Sequence, residues 1–311
     1  MRGRDGGHDS ILDAAGMSED ATLRLQRALE IDDRVINLAR VPPPDLAGAE
    51  AALRDGADLD ARISRGQTLL GRACLYGRAD LVRWLLGHGA GPGIADGGGW
   101  TPLAYAVWKN DVDIAAMVLE CLGDARCLDA PIPGPTGETP LMMACERGQI
   151  GLARWLLGHG AGLERTDVRG WTPLIHAARD NHGDVVAMLL AQGANPNARG
   201  LDGATVLMMV ATALFRVKMD ADSRLMGDLL DAGANPSLVD ADGYTAPERF
   251  AGRERRDLLM ALDAALAHPA HANHRGHVLE RLTPEKRIAW LPRSAVLEAV
   301  MPGARAVRRT P

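Results

Sequence analysis

The chain has 311 residues, of which 47% are hydrophobic and 24% are charged, and these proportions exclude wholesale disorder. Only 4% of the residues are aromatic, so a core must be built from Ala, Leu, Val and Met, which favours closely packed helices over a large β-sandwich. The formal net charge of -5 argues against a nucleic-acid-binding protein, no apolar run is long enough to cross a bilayer, and the N-terminus lacks the apolar region of a secretory signal.

The four cysteines contain no CxxC pair, so we expect free thiols, a reducing compartment and a cytoplasmic location. The sequence also lacks GxSxG, P-loop and HExxH motifs, and most of its carboxylates fall at turns and helix caps. These observations predict a protein that is not an enzyme and that has no cofactor and no metal site.

The first segments of the chain lie outside any repeat. Residues 1–10 are predicted to be disordered, and residues 11–44 are predicted to form an N-terminal helical cap. Within this cap, Ser18 is expected to begin a helix that carries Leu25 among its apolar residues, and a second short helix is expected to stop before Pro42.

Three sequence markers recur after this cap. The stretches LVRWLLGHGAG at 81–91 and LARWLLGHGAG at 152–162 differ at one position. A threonine at the start of a Thr-Pro-Leu stretch, or of a variant of it, recurs at intervals of 33, 38, 33, 33 and 40 residues, at Thr68, Thr101, Thr139, Thr172, Thr205 and Thr245. A Gly-Ala pair recurs at Gly56, Gly89, Gly160, Gly193 and Gly233. Markers that keep one order along the chain predict a repeat architecture.

Residues 170–197 illustrate one unit of the repeat. Thr172 is expected to cap a first helix, with Pro173 at the first helical position, where its missing N–H costs nothing. Residues 182–184 separate this helix from a second one, which Gly193 ends. The packed stripe of the second helix is predicted to contain Val186, Leu189 and Leu190.

The stretch GWTPLIHAARDNHGDVVAMLLAQGANPNA at 170–198 resembles an ankyrin repeat, and GETPLMMACERGQIGLARWLLGHGAG at 137–162 and GQTLLGRACLYGRADLVRWLLGHGAG at 66–91 are similarly close. The resemblance covers residues 45–266, beginning with the second helix of an opening unit. It implies an all-α solenoid of stacked helix-turn-helix units with extended fingers, preceded by the N-terminal helices and followed by a C-terminal helical tail.

Three units depart from the pattern. The unit at 99–120 loses its Gly-Ala ending to an irregular loop flanked by Cys121 and Cys127, for which we favour free thiols over a disulfide. The unit at 203–236 carries seven extra residues between its helices, and residues 243–266 look like a degenerate closing unit.

Three aromatic residues directly precede a capping threonine, at the finger position that the resemblance places on a concave face: Trp100, Trp171 and Tyr244. Other units have Gln67, Glu138 and Ala204 there, so packing does not demand an aromatic ring. The ends of the first helices, which face the same groove in the family, add Tyr76, Trp108, Lys109, Glu146, Arg147, Arg179 and Asp180. Aromatic and arginine side chains in one row are typical of protein-interface hot spots, although the rings could instead lean on neighbouring fingers. Trp84 and Trp155, which are equivalent in two repeats, are predicted to be packing residues.

The predicted C-terminal region, residues 267–311, combines a His-rich linker with a basic helical tail. His268, His271, His274 and His277 recur at intervals of three, and a solvated linker is favoured there over a metal site. From residue 268 onward eight Lys and Arg outnumber three Asp and Glu, which gives +5 against -10 for the rest of the chain. Docking of this tail on the acidic repeats is favoured over attraction of an anionic partner.

The sequence therefore predicts a scaffold that binds a partner protein on the concave face of its repeats, that binds neither nucleic acid nor membrane, and that is monomeric on its own. Two alternatives remain open. One is an inhibitor or immunity-type protein that blocks an enzyme, and the other is a metal-responsive regulator that uses the His-rich stretch.

Overall fold

A computed structural model of the chain describes residues 9–29, 44–63, 66–213 and 223–252, together with residues 262, 266, 267, 271 and 274. Within these residues the regular structure is helical, with two isolated antiparallel bridges, Arg199 to Thr205 and Val239 to Thr245. The predicted all-α class is therefore confirmed. None of the described helices is both long and apolar enough to cross a membrane.

The helices are α1 (Asp9–Ala28), α2 (Leu46–Arg54), α3 (Leu69–Leu75), α4 (Ala79–Gly87), α5 (Pro102–Trp108), α6 (Val112–Leu122), α7 (Pro140–Glu146), α8 (Ile150–Gly158), α9 (Pro173–Arg179), α10 (Gly183–Ala191), α11 (Val206–Ala213), α12 (Ser223–Asp231) and α13 (Ala246–Gly252), with a 3-10 helix at Ala125–Asp129. They belong to two compact units. The first unit comprises residues 1–140 and 158–161, and the second comprises residues 141–157 and 162–311.

Within each unit, like helices pack on like helices. In the first unit α3 contacts α5 and α4 contacts α6, while α1 packs on α2. In the second unit α9 contacts α11, α11 contacts α13, and α10 contacts α12. This stacking of first helices on first helices and second on second is what a repeat needs in order to bury apolar faces that it cannot bury alone.

The recurring threonines begin the first helices, as predicted. The hydroxyl of Thr68 accepts a hydrogen bond from Gly71 N at 3.0 Å, and the hydroxyl of Thr101 accepts one from Ala104 N at 3.1 Å. Each hydroxyl thus satisfies a backbone donor that the first turn of a helix leaves without a partner. The threonines therefore fix where each repeat starts.

The turn between the two helices of a repeat requires a left-handed residue nine positions after the threonine. Glycine provides it at Gly77 and Gly148, with φ of 69° and 67°. Asn110 and Asn181 provide it with φ of 60° and 59°, because asparagine tolerates this region better than other side chains do. The predicted break at residues 182–184 therefore lies one position later than the turn residue itself.

The second helix of the unit at 170–197 buries Val185, Val186 and Leu189, whereas Leu190 is only half-buried. The prediction that Leu190 lies on the packed stripe is therefore wrong. At about 100° per residue, positions 185, 186 and 189 define one face, and position 190 falls at its edge.

The N-terminal helix differs from its prediction at one end. α1 begins at Asp9, so Ser18 lies inside the helix instead of capping it. Asp9 and Ser10 also suit a helix start, and no proline interrupts residues 11–28. Leu25 is buried, as expected for a residue facing α2. The predicted disorder of residues 1–8 and the predicted short helix before Pro42 lie outside the described residues.

The irregular loop of the second repeat replaces a Gly-Ala ending and packs two of its own apolar residues into the core. Gly123 ends α6 in the left-handed region, and Leu128 in the 3-10 helix and Ile132 after it are both buried. Cys121 is exposed and Cys127 is half-buried, and both thiols are free, as are those of the buried Cys74 and Cys145. The expectation of free thiols is confirmed.

Part of the C-terminal region is also described. Leu262 and Leu266 are fully buried, and His271 is 8% exposed with its Nε2 at 3.0 Å from Asp231 Oδ1, at the end of α12. His271 is therefore a packed residue, which corrects the expectation of a solvated linker at this position. His268, His277 and the basic tail from 278 to 311 lie outside the described residues.

Candidate functional site

The fingers, the extended segments that lead into each capping threonine, contain a turn built on an aspartate. In three repeats an aspartate lies five residues before the threonine, and its Oδ1 accepts two backbone hydrogen bonds at 2.8–3.1 Å. The donors are Gly98 and Trp100 for Asp96, Arg169 and Trp171 for Asp167, and Asp242 and Tyr244 for Asp240. One donor in each repeat is the aromatic residue itself, so the carboxylate fixes the backbone that carries the ring.

Trp100 is half-buried and stacks on Tyr105, with 5.3 Å between ring centroids and 23° between ring planes. The hydroxyl of Tyr105 donates a hydrogen bond to Asp96 Oδ2 at 2.5 Å and accepts one from Gln67 Nε2 at 2.8 Å. Burial, and then the hydrogen bond to the Asp96 carboxylate, raise the pKa of Tyr105 to about 12. Tyr105 is therefore a neutral donor across the physiological range.

Trp171 is also half-buried, but its neighbours are charged. The guanidinium carbon of Arg169 lies 3.8 Å from the ring centroid, and that of Arg179 lies 5.2 Å from it. His176 meets the indole edge-on, with ring centroids 5.7 Å apart. The indole also lies against the next finger, because a Cβ added at Gly200 would be 2.9 Å from Trp171 Nε1.

His176 is fully buried between two carboxylates. Its Nδ1 is 3.5 Å from Glu146 Oε2 and its Nε2 is 3.4 Å from Asp167 Oδ2, separations at the long limit of hydrogen bonding. Arg179 bridges Glu146 at 3.2 Å and Asp180 at 2.7 Å. The His176 ring, followed by the Arg179 guanidinium, lowers the pKa of Glu146 to about 2. Glu146 is therefore ionised wherever the protein is folded near neutral pH.

The remaining predicted ring of the fingers, Tyr244, is 43% exposed, and the guanidinium carbon of Arg249 lies 4.8 Å from its centroid. Arg249 forms ion pairs with both Asp240 and Asp242. These hydrogen bonds, to Asp240 first, raise the pKa of Arg249 above its usual value. The ring of Tyr244 is thus held by a fixed cation.

The predicted residues at the helix ends form a second set. Trp108 ends α5 and is 38% exposed, with the Lys109 ammonium 5.4 Å from its ring centroid. Tyr76 is the half-buried C-cap of α3, and Arg147 is exposed after α7. Trp84, predicted to be a packing residue, is half-buried and contacts the ring of His88 on its own helix.

Sequence reasoning missed the residues that hold the rings. Asp96 and Tyr105, Asp167 and His176, and Asp240 and Arg249 are each nine residues apart. This shared interval, which brackets every aromatic finger, is a signal that the sequence does contain.

Comparisons with known proteins agree with this architecture. A family model described as ankyrin repeats, in three copies, matches residues 45–130 and 121–200, which together are half of the chain. The chain belongs to the ankyrin repeat family. A solved ankyrin repeat domain from Acinetobacter baumannii AYE is 29% identical, covers 63% of this chain and 96% of its own, and superposes with a TM-score of 0.55.

Two relatives show how far the likeness extends. The putative ankyrin repeat protein YahD of Escherichia coli is 28% identical over 52% of this chain and 82% of its own length. Ankyrin repeat protein nuc-2 of Neurospora crassa is 26% identical over 48% of this chain, but the match spans only 17% of that protein. Ankyrin repeats are protein–protein interaction modules, so this chain carries a protein-binding module.

Proposed function

We propose that the chain is a non-enzymatic scaffold whose ankyrin repeats bind a partner protein on their concave face. The anchors are the aromatic fingers, Trp100, Trp171 and Tyr244, with Trp108 at a helix end. One observation carries the proposal: each finger ring is partly exposed and yet held in place, through its backbone by an aspartate and through its ring by a neighbour. Rings ordered before binding lose little conformational freedom when a partner covers them.

The charges around the rings support a protein partner over a nucleic acid. Near Trp171, the two arginines are paired with Asp167, Glu146 and Asp180. A nucleic-acid surface needs cations that are available to phosphates, whereas these cations are neutralised by carboxylates. Aromatic rings flanked by paired arginines are instead the composition of protein-interface hot spots.

Arg147 and Lys109 are exposed at the ends of first helices, and the Lys109 ammonium lies 5.4 Å from the centroid of the Trp108 ring. They suit the rim of such an interface, where charges set orientation and association rate more than affinity. The cytoplasmic location and the monomeric state of the free protein stay predictions. The metal-responsive alternative loses support, because His271 Nε2 is already engaged by Asp231.

The test combines partner isolation with ring truncation. A partner recovered on the immobilised chain is purified, and its dissociation constant is measured by calorimetry for wild type, Trp100→Ala, Trp171→Ala and Tyr244→Ala. Each substitution removes an anchor, so we expect affinity to fall by about tenfold or more for at least the two tryptophans. If the partner is an enzyme and the chain abolishes its activity, the inhibitor alternative is correct.

Trp84→Ala is the matched control. It removes a half-buried tryptophan from α4, a second helix that the proposal keeps out of the interface. We expect it to lower the midpoint of thermal unfolding while leaving affinity unchanged. Wild-type affinity in all three finger variants, together with a loss of affinity in Trp84→Ala, would place the interface on the second helices of the repeats and refute the proposal.

A further inference from the structure

A chain of polar side chains runs beneath Trp100 from one repeat to the next. Arg72 on α3 donates from Nε to Gln67 Oε1 at 3.1 Å, Gln67 donates from Nε2 to the Tyr105 hydroxyl at 2.8 Å, and Tyr105 donates to Asp96. Arg72, Gln67 and Tyr105 are 3%, 5% and 7% exposed. Two repeats are thus connected through hydrogen bonds that water does not reach.

The fold does not require this series of hydrogen-bonded side chains. Two other repeats place a methionine four residues after the capping threonine, where Arg72 and Tyr105 lie, and these methionines, Met143 and Met209, are 9% and 5% exposed. Because an apolar side chain fills the position adequately, burying the Arg72 guanidinium and the Tyr105 hydroxyl there is an added cost of desolvation. Such a cost calls for an explanation other than packing.

The residue at this position correlates with the finger of the same repeat. The two methionine repeats have Glu138 and Ala204 in the finger, whereas Tyr105 occurs with Trp100. The same holds for the pairs His176 with Trp171 and Arg249 with Tyr244. A ring in the finger is therefore accompanied by a ring or a cation that contacts it.

The geometry explains how Tyr105 acts on Trp100. Asp96 uses Oδ1 for the backbone N–H of Trp100 and Oδ2 for the Tyr105 hydroxyl, so one carboxylate fixes both stacked residues. The bond from Gln67 holds the hydroxyl from its other side. With its hydroxyl bound at both ends, the Tyr105 ring cannot turn, and it presents a fixed face on which the indole stacks.

We propose that Tyr105 is a positioning residue of the partner-binding site, which sets the orientation of Trp100, and that Gln67 of the preceding repeat holds Tyr105 for this purpose. Tyr105 is 7% exposed and acts through Trp100, without touching the partner. This inference rests on the proposed function for its consequence in binding, but the orientation of Trp100 is measurable without a partner.

The first measurement is fluorine NMR of protein labelled with 5-fluorotryptophan. The chain has six tryptophans, and the Trp100 resonance is the one that Trp100→Ala removes. Tyr105→Phe keeps the stacked ring and deletes only the hydroxyl. Gln67→Leu removes the amide that donates a hydrogen bond to this hydroxyl. Both are expected to shift or broaden the Trp100 resonance while the Trp171 resonance stays in place. An unchanged Trp100 resonance in both variants overturns the inference.

The second measurement is a double-mutant cycle on affinity. We expect Tyr105→Phe to weaken partner binding by about two- to tenfold, less than the loss of a whole anchor ring, because the Trp100 indole is kept and only its orientation is disturbed. In a Trp100→Ala background the same change is expected to have no effect, because Tyr105 acts through Trp100. An equal loss in both backgrounds means that Tyr105 acts by another route, and the inference fails.

The outcomes separate the two proposals. If Trp100→Ala binds like wild type, the proposed function fails at this finger, while the fluorine spectrum still decides whether Tyr105 orients Trp100. Should Tyr105→Phe not fold, Gln67→Leu supplies both measurements, since it breaks the same hydrogen bond from the neighbouring repeat.

Discussion

The fingers of Trp100 and Trp171 share one turn and support their rings by different means. Both backbones are held by an aspartate Oδ1 at 2.8 Å. Trp100 then stacks on the neutral ring of Tyr105, whereas Trp171 is covered by the guanidinium of Arg169 and lies within a cluster of ion pairs. The same backbone geometry thus tolerates a neutral and a charged support.

This difference teaches that the turn and the ring support are separable parts of the repeat. The turn depends on one carboxylate oxygen and two backbone donors, and it is the same whichever side chains the next helix carries. The support depends on the residue four positions after the threonine, Tyr105 in one case and His176 in the other. Equivalent substitutions in two repeats can therefore test the turn and the ring support separately.

The largest effect is expected in the apolar cores, which are alike in the two compact units. Leu85 and Leu189 are fully buried at the same position of their second helices. Each Leu→Ala change should lower the free energy of unfolding by about 2–5 kcal/mol, through lost burial and a residual cavity. Urea denaturation measures it. The half-buried Leu190 should cost less than Leu189 when truncated, and an equal loss would mean that the packed face of α10 is assigned wrongly.

The second effect concerns the turn glycines Gly77 and Gly148, which differ in how crowded their surroundings are. Gly77 and Gly148 have nearly the same positive φ, so alanine is strained at both by about 1–2 kcal/mol. A Cβ at Gly148 would also lie 2.5 Å from the His182 ring, whereas at Gly77 the nearest atom would be at 3.9 Å. Gly148→Ala should therefore destabilise more than Gly77→Ala, by about a further 1–3 kcal/mol.

His182→Ala provides the control for this pair. In that background the surplus cost of Gly148→Ala should disappear, because the ring that the Cβ would meet is gone. If the surplus persists in urea denaturation, the crowding at Gly148 has another origin.

The third effect separates the two ring supports. Asp96→Asn keeps an oxygen for the backbone donors and loses the bond that Tyr105 donates to its carboxylate, about 1.5–3 kcal/mol. Asp167→Asn loses both the hydrogen bond from Arg169 Nε and the ion pair with Arg169 Nη2, so a larger loss is expected. Urea denaturation at neutral pH compares them. A larger loss in Asp96→Asn would reverse the comparison between the neutral and the charged finger.

The smallest effect is the pH dependence that Glu146 contributes beside the Trp171 finger. The folded-state pKa of Glu146 is about 2, below its usual value of 4.5, so its contribution to stability is present above pH 4.5 and is lost as the pH falls through 2. The stability difference between wild type and Glu146→Gln should follow this course, measured by urea denaturation from pH 7 to pH 2. A difference that grows as the pH falls would contradict it.

The sequence was sufficient for the repeats and insufficient for the site. Thr172, Pro173 and Gly193 act locally, through capping and turn conformation, so their roles follow from the sequence around them. The support of Trp100 depends on Gln67 and on Asp96, which the fold brings together from two repeats. Such contacts are set by packing between units of the repeat, which periodicity alone does not specify.

Two wrong predictions, for Leu190 and Ser18, show that local sequence signals do not specify tertiary packing. Helical spacing places Leu190 on one stripe with Val186 and Leu189, but the buried face is set by the neighbouring helices and centres on Val185 and Leu189. Ser18 is a good helix start, yet α1 begins at Asp9, because a suitable cap does not stop a helix that has already begun. Local signals predict what a residue can do, and tertiary contacts decide which option is used.

The Trp171 indole lies against Gly200, and this contact restricts which side chains the following finger can carry. An aspartate turn in the next finger would need a side chain at residue 200, where a Cβ would lie 2.9 Å from the indole nitrogen. The Trp171 ring thus keeps an aspartate turn out of the following finger, which carries Ala204. Along the sequence the aromatic fingers come at every second repeat, at 100, 171 and 244. A partner that uses these rings would meet one aromatic anchor in every second repeat of the sequence.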